Sequence, residues 1–105
     1  MKSERRFLLQ FIDANALKEY RKLDGSVKKL VDIALKKLEA RANEIGKPLE
    51  RKLKGCKEIK FRKNGIRIIF RIVKGHVEIV EIISIGSRAD EEVFQNASHR
   101  LKHIE

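Results

Sequence analysis

Of the five cations in the stretch FRKNGIRIIFR and its leading edge, strand alternation brings four together: Lys60, Arg62, Arg67 and Arg71. Asn64-Gly65 lies between two runs of alternating apolar residues, a strong signal for a tight β-hairpin. A two-residue turn there sets Arg62 against Arg67, Lys60 against Ile69 and Glu58 against Arg71. Like charges opposed across a ladder are destabilising, and a bound anion would relieve the repulsion. Arginine presents fork-shaped donors to phosphate oxygens and lysine a compact charge. Arg88 joins the group from the junction of the last strand and the last helix. Two readings follow. One is a solvated sheet face on which Glu58 neutralises Arg71. The other is a phosphodiester-binding surface, which could extend to RNA cleavage. Cleavage needs a base for the 2′-hydroxyl, cations for the charge building on phosphorus and an acid for the leaving oxygen. Neighbouring arginines favour the neutral form of a lysine, which suits Lys60 to proton transfer.

Residues 56–62, 66–73 and 77–85 read as three strands of an antiparallel meander, the second turn being Lys74-Gly75-His76. Ile59, Phe61, Ile66, Ile68, Phe70 and Ile72 fall on one face, which should pack on helices. The third strand is apolar on both faces and should be the more central. Ahead of the meander, residues 6–12 suit a first strand and residues 15–23 a short helix. A longer helix capped by Ser26 carries Val27, Leu30, Val31, Ala34, Leu35, Leu38, Ala42 and Ile45 at helical spacing. Gly46 and Pro48 end it. The last helix should start at Ser87 with Asp90 as its capping-box partner, and Arg100, Lys102 and His103 near its end suit the helix dipole. The expected fold is α+β, in the order β-α-α-β-β-β-α, with the helical pair packed on the meander.

At 105 residues the chain is long enough for one core, so a single domain spans 1–105. A formal charge of +10 favours polyanionic partners. Cys56 is the single cysteine, which excludes an internal disulfide and suits a reducing cytoplasm. No stretch approaches a membrane span, and the apolar run near the N-terminus is too short for a signal peptide. His99 and His103 are four apart but lack a third ligand, so no metal site is expected. Nothing supports Cys56 as a nucleophile; a partly buried strand cysteine fits better. No glycine-rich phosphate loop occurs.

In element order nearly the whole chain resembles the RelE/ParE superfamily of toxins from type II toxin–antitoxin systems. The likeness is strongest in LERKLKGCKEIKFRKNGIRIIFRIV and EIVEIISIGSRADEEVFQNASHRL. The Leu-x-Gly segment entering a basic strand, the Gly-x-Arg strand and the IGSRADEEVF turn resemble the RelE branch more than the ParE branch. The resemblance implies a compact, microbial-ribonuclease-like fold and metal-independent cutting of mRNA in the ribosomal A site. It also implies a cytoplasmic protein with no cofactor and an antitoxin as partner. By position, Lys60 matches a lysine of the reacting centre, Arg67 the arginine on the scissile phosphate, and Arg88 a second arginine there. Arg62 matches a neighbouring RNA contact, and Arg71 and Lys54 extend the basic surface.

Two positions depart from the pattern. Glu58 stands where the RelE branch can carry a lysine, and Phe94 where it can carry a tyrosine. Phe94 can stack on a base or join a core with Val93, Ala97 and Leu101; it cannot transfer a proton. Other branches draw a carboxylate base from the segment before the meander, which points to Glu50, with Glu58 a further candidate. The leading expectation is an endoribonuclease acting on ribosome-bound mRNA. The alternatives are a ParE-like gyrase poison that acts by binding and a non-catalytic basic RNA-binding module.

Overall fold

The computed structural model describes residues 6–87 and 91–104. Its elements run β1 (Leu8–Phe11), α1 (Ala14–Arg21), α2 (Gly25–Arg41), β2 (Lys47–Pro48), a 3-10 turn (Arg51–Leu53), β3 (Cys56–Phe61), β4 (Ile66–Lys74), β5 (Glu78–Ser87) and α3 (Glu92–Ile104). The sheet has the order β1-β5-β4-β3-β2. β1 runs parallel to β5, and every other pairing is antiparallel. This is the expected α+β order with one addition: the basic connection contributes β2, whose Lys47 and Pro48 pair with Glu58 and Lys57. Gly46 sets the chain up for that pairing with φ 94°, and a Cβ there would lie 3.0 Å from the Phe70 ring. Only glycine meets both conditions without strain.

Strand alternation sorts the sheet's two faces. One face buries Ile68, Phe70, Val80, Ile82 and Ile85 against Val31, Leu35, Leu38 and Ala42 of α2 and the residue after it, with Ile59, Phe61, Ile66 and Ile72 packed around them. That is the apolar face read from the alternation. The opposite face buries Cys56, Ile69 and Ile83 against Leu53, Val93 and Ala97, so α3 covers it. A register shift between Ile69 and Phe70 lets β5 place Ile83 and Ser84 together on the α3 side. There the Ser84 hydroxyl donates to the Val93 carbonyl at 2.8 Å.

The hairpin register differs from the expected one. Phe61 pairs with Ile66, Ile59 with Ile68 and Lys60 with Arg67, so Arg62 lies in the turn and does not oppose Arg67. The amides of Asn64 and Gly65 both donate to the Phe61 carbonyl, at 3.1 and 2.8 Å, and Gly65 has φ 66°. A four-residue turn of this kind uses the left-handed glycine to return the chain; the Asn-Gly pair alone does not specify how many residues the turn takes.

Helix starts also shift. Asp24, rather than Ser26, caps α2, and its carboxylate accepts from the Ser26 amide at 3.4 Å. α2 ends at Arg41, short of Gly46. β5 continues through Ser87, so α3 begins at Glu92 rather than at Ser87. The expected Asp90 capping partner lies outside the described residues.

Candidate functional site

β3 and β4 bring three charged side chains together on the α3 side of the sheet. Lys60 and Arg67 are directly opposed across the ladder, and Glu58 lies two residues from Lys60 on the same face. Glu58 is 5% exposed, and its Oε1 lies 2.7 Å from Arg67 Nε while its Oε2 lies 3.8 Å from Lys60 Nζ. Arg67 is itself 12% exposed. The close contact is an ion pair without hydrogen-bond alignment, since neither buried atom has a hydrogen-bond partner among the described residues. α3 completes the arrangement: the Phe94 ring sits 4.3 Å from the Arg67 guanidinium carbon, in cation–π contact. Phe94 also packs against the core of that face, which realises the core placement, one of its two expected fates.

The expected pairing of Glu58 with Arg71 does not form. Arg71 lies opposite Cys56 on β3 and Glu81 on β5, and its Nε donates to Glu81 Oε1 at 2.8 Å. The register puts Glu58 opposite Ile69, within reach of Arg67 and Lys60. That Glu58 shares a strand face with Lys60 was visible in their spacing. The partner needed the true turn length. Arg62 is exposed in the turn and Lys54 is exposed after the 3-10 turn, both on the periphery. Arg88 lies outside the described residues.

Glu50 precedes the 3-10 turn and lines an open groove of about 590 Å3 between that turn and α3. Phe94 is shared between this groove and the ion-pair cluster, and Arg51, Lys52, His99 and Lys102 add basic groups to the walls. Arg51 adopts φ 59°, an uncommon conformation for a non-glycine residue. Cations of the kind that can hold a phosphate and an aromatic ring are thus adjacent, with a solvent-accessible carboxylate on the same groove.

A second charged assembly was not legible in the sequence. Glu19 of α1 receives Arg100 of α3 through two bonds, Nη1 to Oε1 at 3.0 Å and Nη2 to Oε2 at 2.7 Å. Arg100 Nη1 also donates to the Ile83 carbonyl at 2.8 Å, and the Ile85 amide donates to Glu19 Oε1 at 3.0 Å. These are groups of β5 beyond the end of its pairing with β1, which stops at Ile82. Arg100 therefore serves a lateral clamp rather than the helix end. Its bonds to Glu19 hold its pKa above the usual arginine value. Burial pushes the Cys56 thiol up, partly offset by Arg71. The Tyr20 phenol is also raised, chiefly by its hydrogen bond to Asp32. The His99 and His103 rings are in tilted contact, with centroids 4.3 Å apart. Among the described residues no three His, Cys, Asp or Glu side chains converge as metal ligands, and no helix is long and apolar enough to cross a membrane.

No family model matches the chain. Individual relatives do. The mRNA interferase toxin RelE of Escherichia coli K12 is 35% identical over 100 residues, an alignment covering 90% of this chain and 97% of the relative. The chain belongs to the RelE toxin family. A free-state structure of an arginine double mutant of E. coli RelE superposes with TM-score 0.75 at 30% identity, covering 91% of this chain and 98% of that one. The same mutant toxin in complex with a peptide of the antitoxin RelB gives TM-score 0.64 at 33% identity, covering 88% and 94%. The RelE fold is thus shared along nearly the whole length.

Proposed function

We propose that this RelE-family chain is the toxin of a type II toxin–antitoxin system, an endoribonuclease that cleaves mRNA on the ribosome, in the cytoplasm. The observation that carries the reading is Lys60 opposed to Arg67 beneath the Phe94 ring. The E. coli relative's name, an mRNA interferase toxin, supports it. Arg67 binds the scissile phosphate and stabilises the charge that builds on phosphorus. Lys60 supports that charge and takes part in proton transfer. Arg88 acts as a second phosphate arginine, a role that rests on the resemblance alone. Glu50, on the groove shared with Phe94, takes the 2′-hydroxyl proton. The oxygen freed of its proton attacks phosphorus, the bond to the 5′-oxygen breaks, and that oxygen is protonated as it leaves. The products are a 2′,3′-cyclic phosphate, which can open to a 3′-phosphate, and a free 5′-hydroxyl.

Phe94 stacks against a base of the message, and Arg62, Arg71 and Lys54 give weaker backbone contacts. The chemistry is metal-independent, because the cations that meet the developing charge belong to the chain. The physiological partner is an antitoxin, as in the RelE–RelB peptide complex, and an acidic segment would complement a net charge of +10.

Induced expression followed by mapping of transcript 5′ ends tests the proposal. Cuts within codons of translated messages are expected, and purified protein should reproduce them on programmed ribosomes. Intact transcripts accompanied by DNA damage would instead establish a gyrase poison. Arg67→Ala should lower the cleavage rate about 10²–10³-fold, the scale of losing one preorganised charge-stabilising donor. Wild-type cleavage by Arg67→Ala would exclude the assigned role.

A further inference from the structure

The phosphate-binding arginine of the proposed function is already occupied. Arg67 is almost entirely covered: its Nε meets Glu58 at 2.7 Å and its guanidinium lies against Phe94 at 4.3 Å. A phosphodiester therefore meets a closed site. The cluster nevertheless contains its own means of opening. Lys60 Nζ lies 3.8 Å from the other Glu58 oxygen, so Glu58 has a second cation to keep if it loses the first. The Glu58–Arg67 contact also lacks an aligned hydrogen bond at two buried atoms. Buried polar groups left so are costly, and a well-aligned phosphate oxygen would satisfy the Arg67 donor that Glu58 leaves unaligned.

Charge arithmetic indicates which anion fits. Lys60 and Arg67 together carry two positive charges and Glu58 one negative, leaving a surplus of one. A phosphodiester carries one negative charge and balances that surplus. A phosphate monoester or inorganic phosphate, with a charge nearer two near neutral pH, overshoots it. In a buried site such a mismatch is poorly screened by solvent.

We propose that Glu58 is an exchangeable counter-ion, which holds Arg67 in the free protein and cedes it to an incoming phosphodiester while remaining paired with Lys60. It acts as a positioning and specificity-determining residue for the proposed ribonuclease and rests on that reading. Its carboxylate keeps Arg67 in place without substrate, and its charge biases the site toward diesters over free phosphate. The role is separate from that of Glu50, which is exposed and takes the proton.

The test uses a short RNA made uncleavable by 2′-O-methylation, titrated into the full-length protein. NMR would follow the Arg67 Nε–H and the Glu58 side-chain carboxylate. Both signals should move together, with the same apparent affinity. Movement of Arg67 with Glu58 unperturbed overturns the counter-ion exchange and leaves the ribonuclease reading intact. If neither moves while the RNA binds elsewhere, the phosphate site itself is wrong. Glu58→Gln provides a second reading: it should bind the same RNA about tenfold tighter and inorganic phosphate tighter by a larger factor. Unchanged or weaker RNA binding by folded Glu58→Gln overturns the proposal. The wild-type titration decides alone should that variant not fold.

Discussion

Phe94 answers two demands with one ring. It packs with the Val93 and Ala97 layer under α3, and it presents a face to Arg67 at 4.3 Å. Phe94→Leu keeps an apolar side chain of nearly the same reach and removes the quadrupole. It should cost only about 1 kcal/mol of stability, since Phe94 is half-buried and the side chain stays apolar. It should weaken RNA binding by about 1–2 kcal/mol per stacked base, in keeping with base–aromatic stacking; thermal melting and an anisotropy titration separate the two effects. At the same scale, Cys56 and Tyr20 make stability pH-dependent on the alkaline side. Burial raises the first and the hydrogen bond to Asp32 raises the second, from ordinary values of 9.0 and 10.0. In both groups the folded protein keeps its proton longer than the unfolded chain. Their stabilisation is complete below those ordinary values and is lost as pH rises through the folded pKa values. Urea midpoints should therefore fall above about pH 9, and Cys56→Ser should remove the earlier part of the decline. What the sequence offered at this scale was uneven. The shared face of Lys60 and Arg67 was legible, because alternation assigns faces regardless of turn length, whereas Phe94, on α3, was singled out by the family resemblance. The partner of Glu58 was not, because a four-residue turn slides β3 along β4 while keeping every side chain on its face.

Between elements, the Glu19–Arg100 clamp ties α1, β5 and α3 together where β1 no longer covers the sheet edge. The side chains are 22% and 10% exposed, so breaking the pair strands a largely desolvated charge. Arg100→Ala or Glu19→Gln should each cost about 3 kcal/mol. A double-mutant cycle read by denaturant unfolding should give a coupling well above that of a surface pair. Because α3 carries Phe94, either substitution should also reduce RNA cleavage. Gly46→Ala tests the opposite edge: the left-handed φ and the 3.0 Å approach to Phe70 should together cost more than 1 kcal/mol. Helix and strand existence followed from periodicity and turn residues. The clamp did not, since its two members stand 81 positions apart and neither has a local signature. β2 escaped notice for a related reason: two residues carry no period, and only their pairing with Glu58 and Lys57 defines the strand.

For the molecule as a whole, the charge of +10 makes association with RNA a counter-ion problem. If about three phosphates are neutralised, log K against log salt should fall with a slope near −2 for single-stranded RNA. Removing Arg62, exposed in the turn, should flatten that slope by somewhat less than one. A slope near zero would mean that the basic surface does not contact the backbone.

The sheet order has a consequence in time. β1 is synthesised well before its partner β5: Leu8 aligns with Ile79 and Phe11 with Ile82. A nascent chain leaving the exit tunnel therefore holds an unpaired strand until β5 has been made. The ring over Arg67 comes later still. Closing so long a loop is slow compared with forming local hairpins, so the domain should acquire activity only once both β5 and α3 have emerged. A potential saboteur of translation would then spare the machine that is making it.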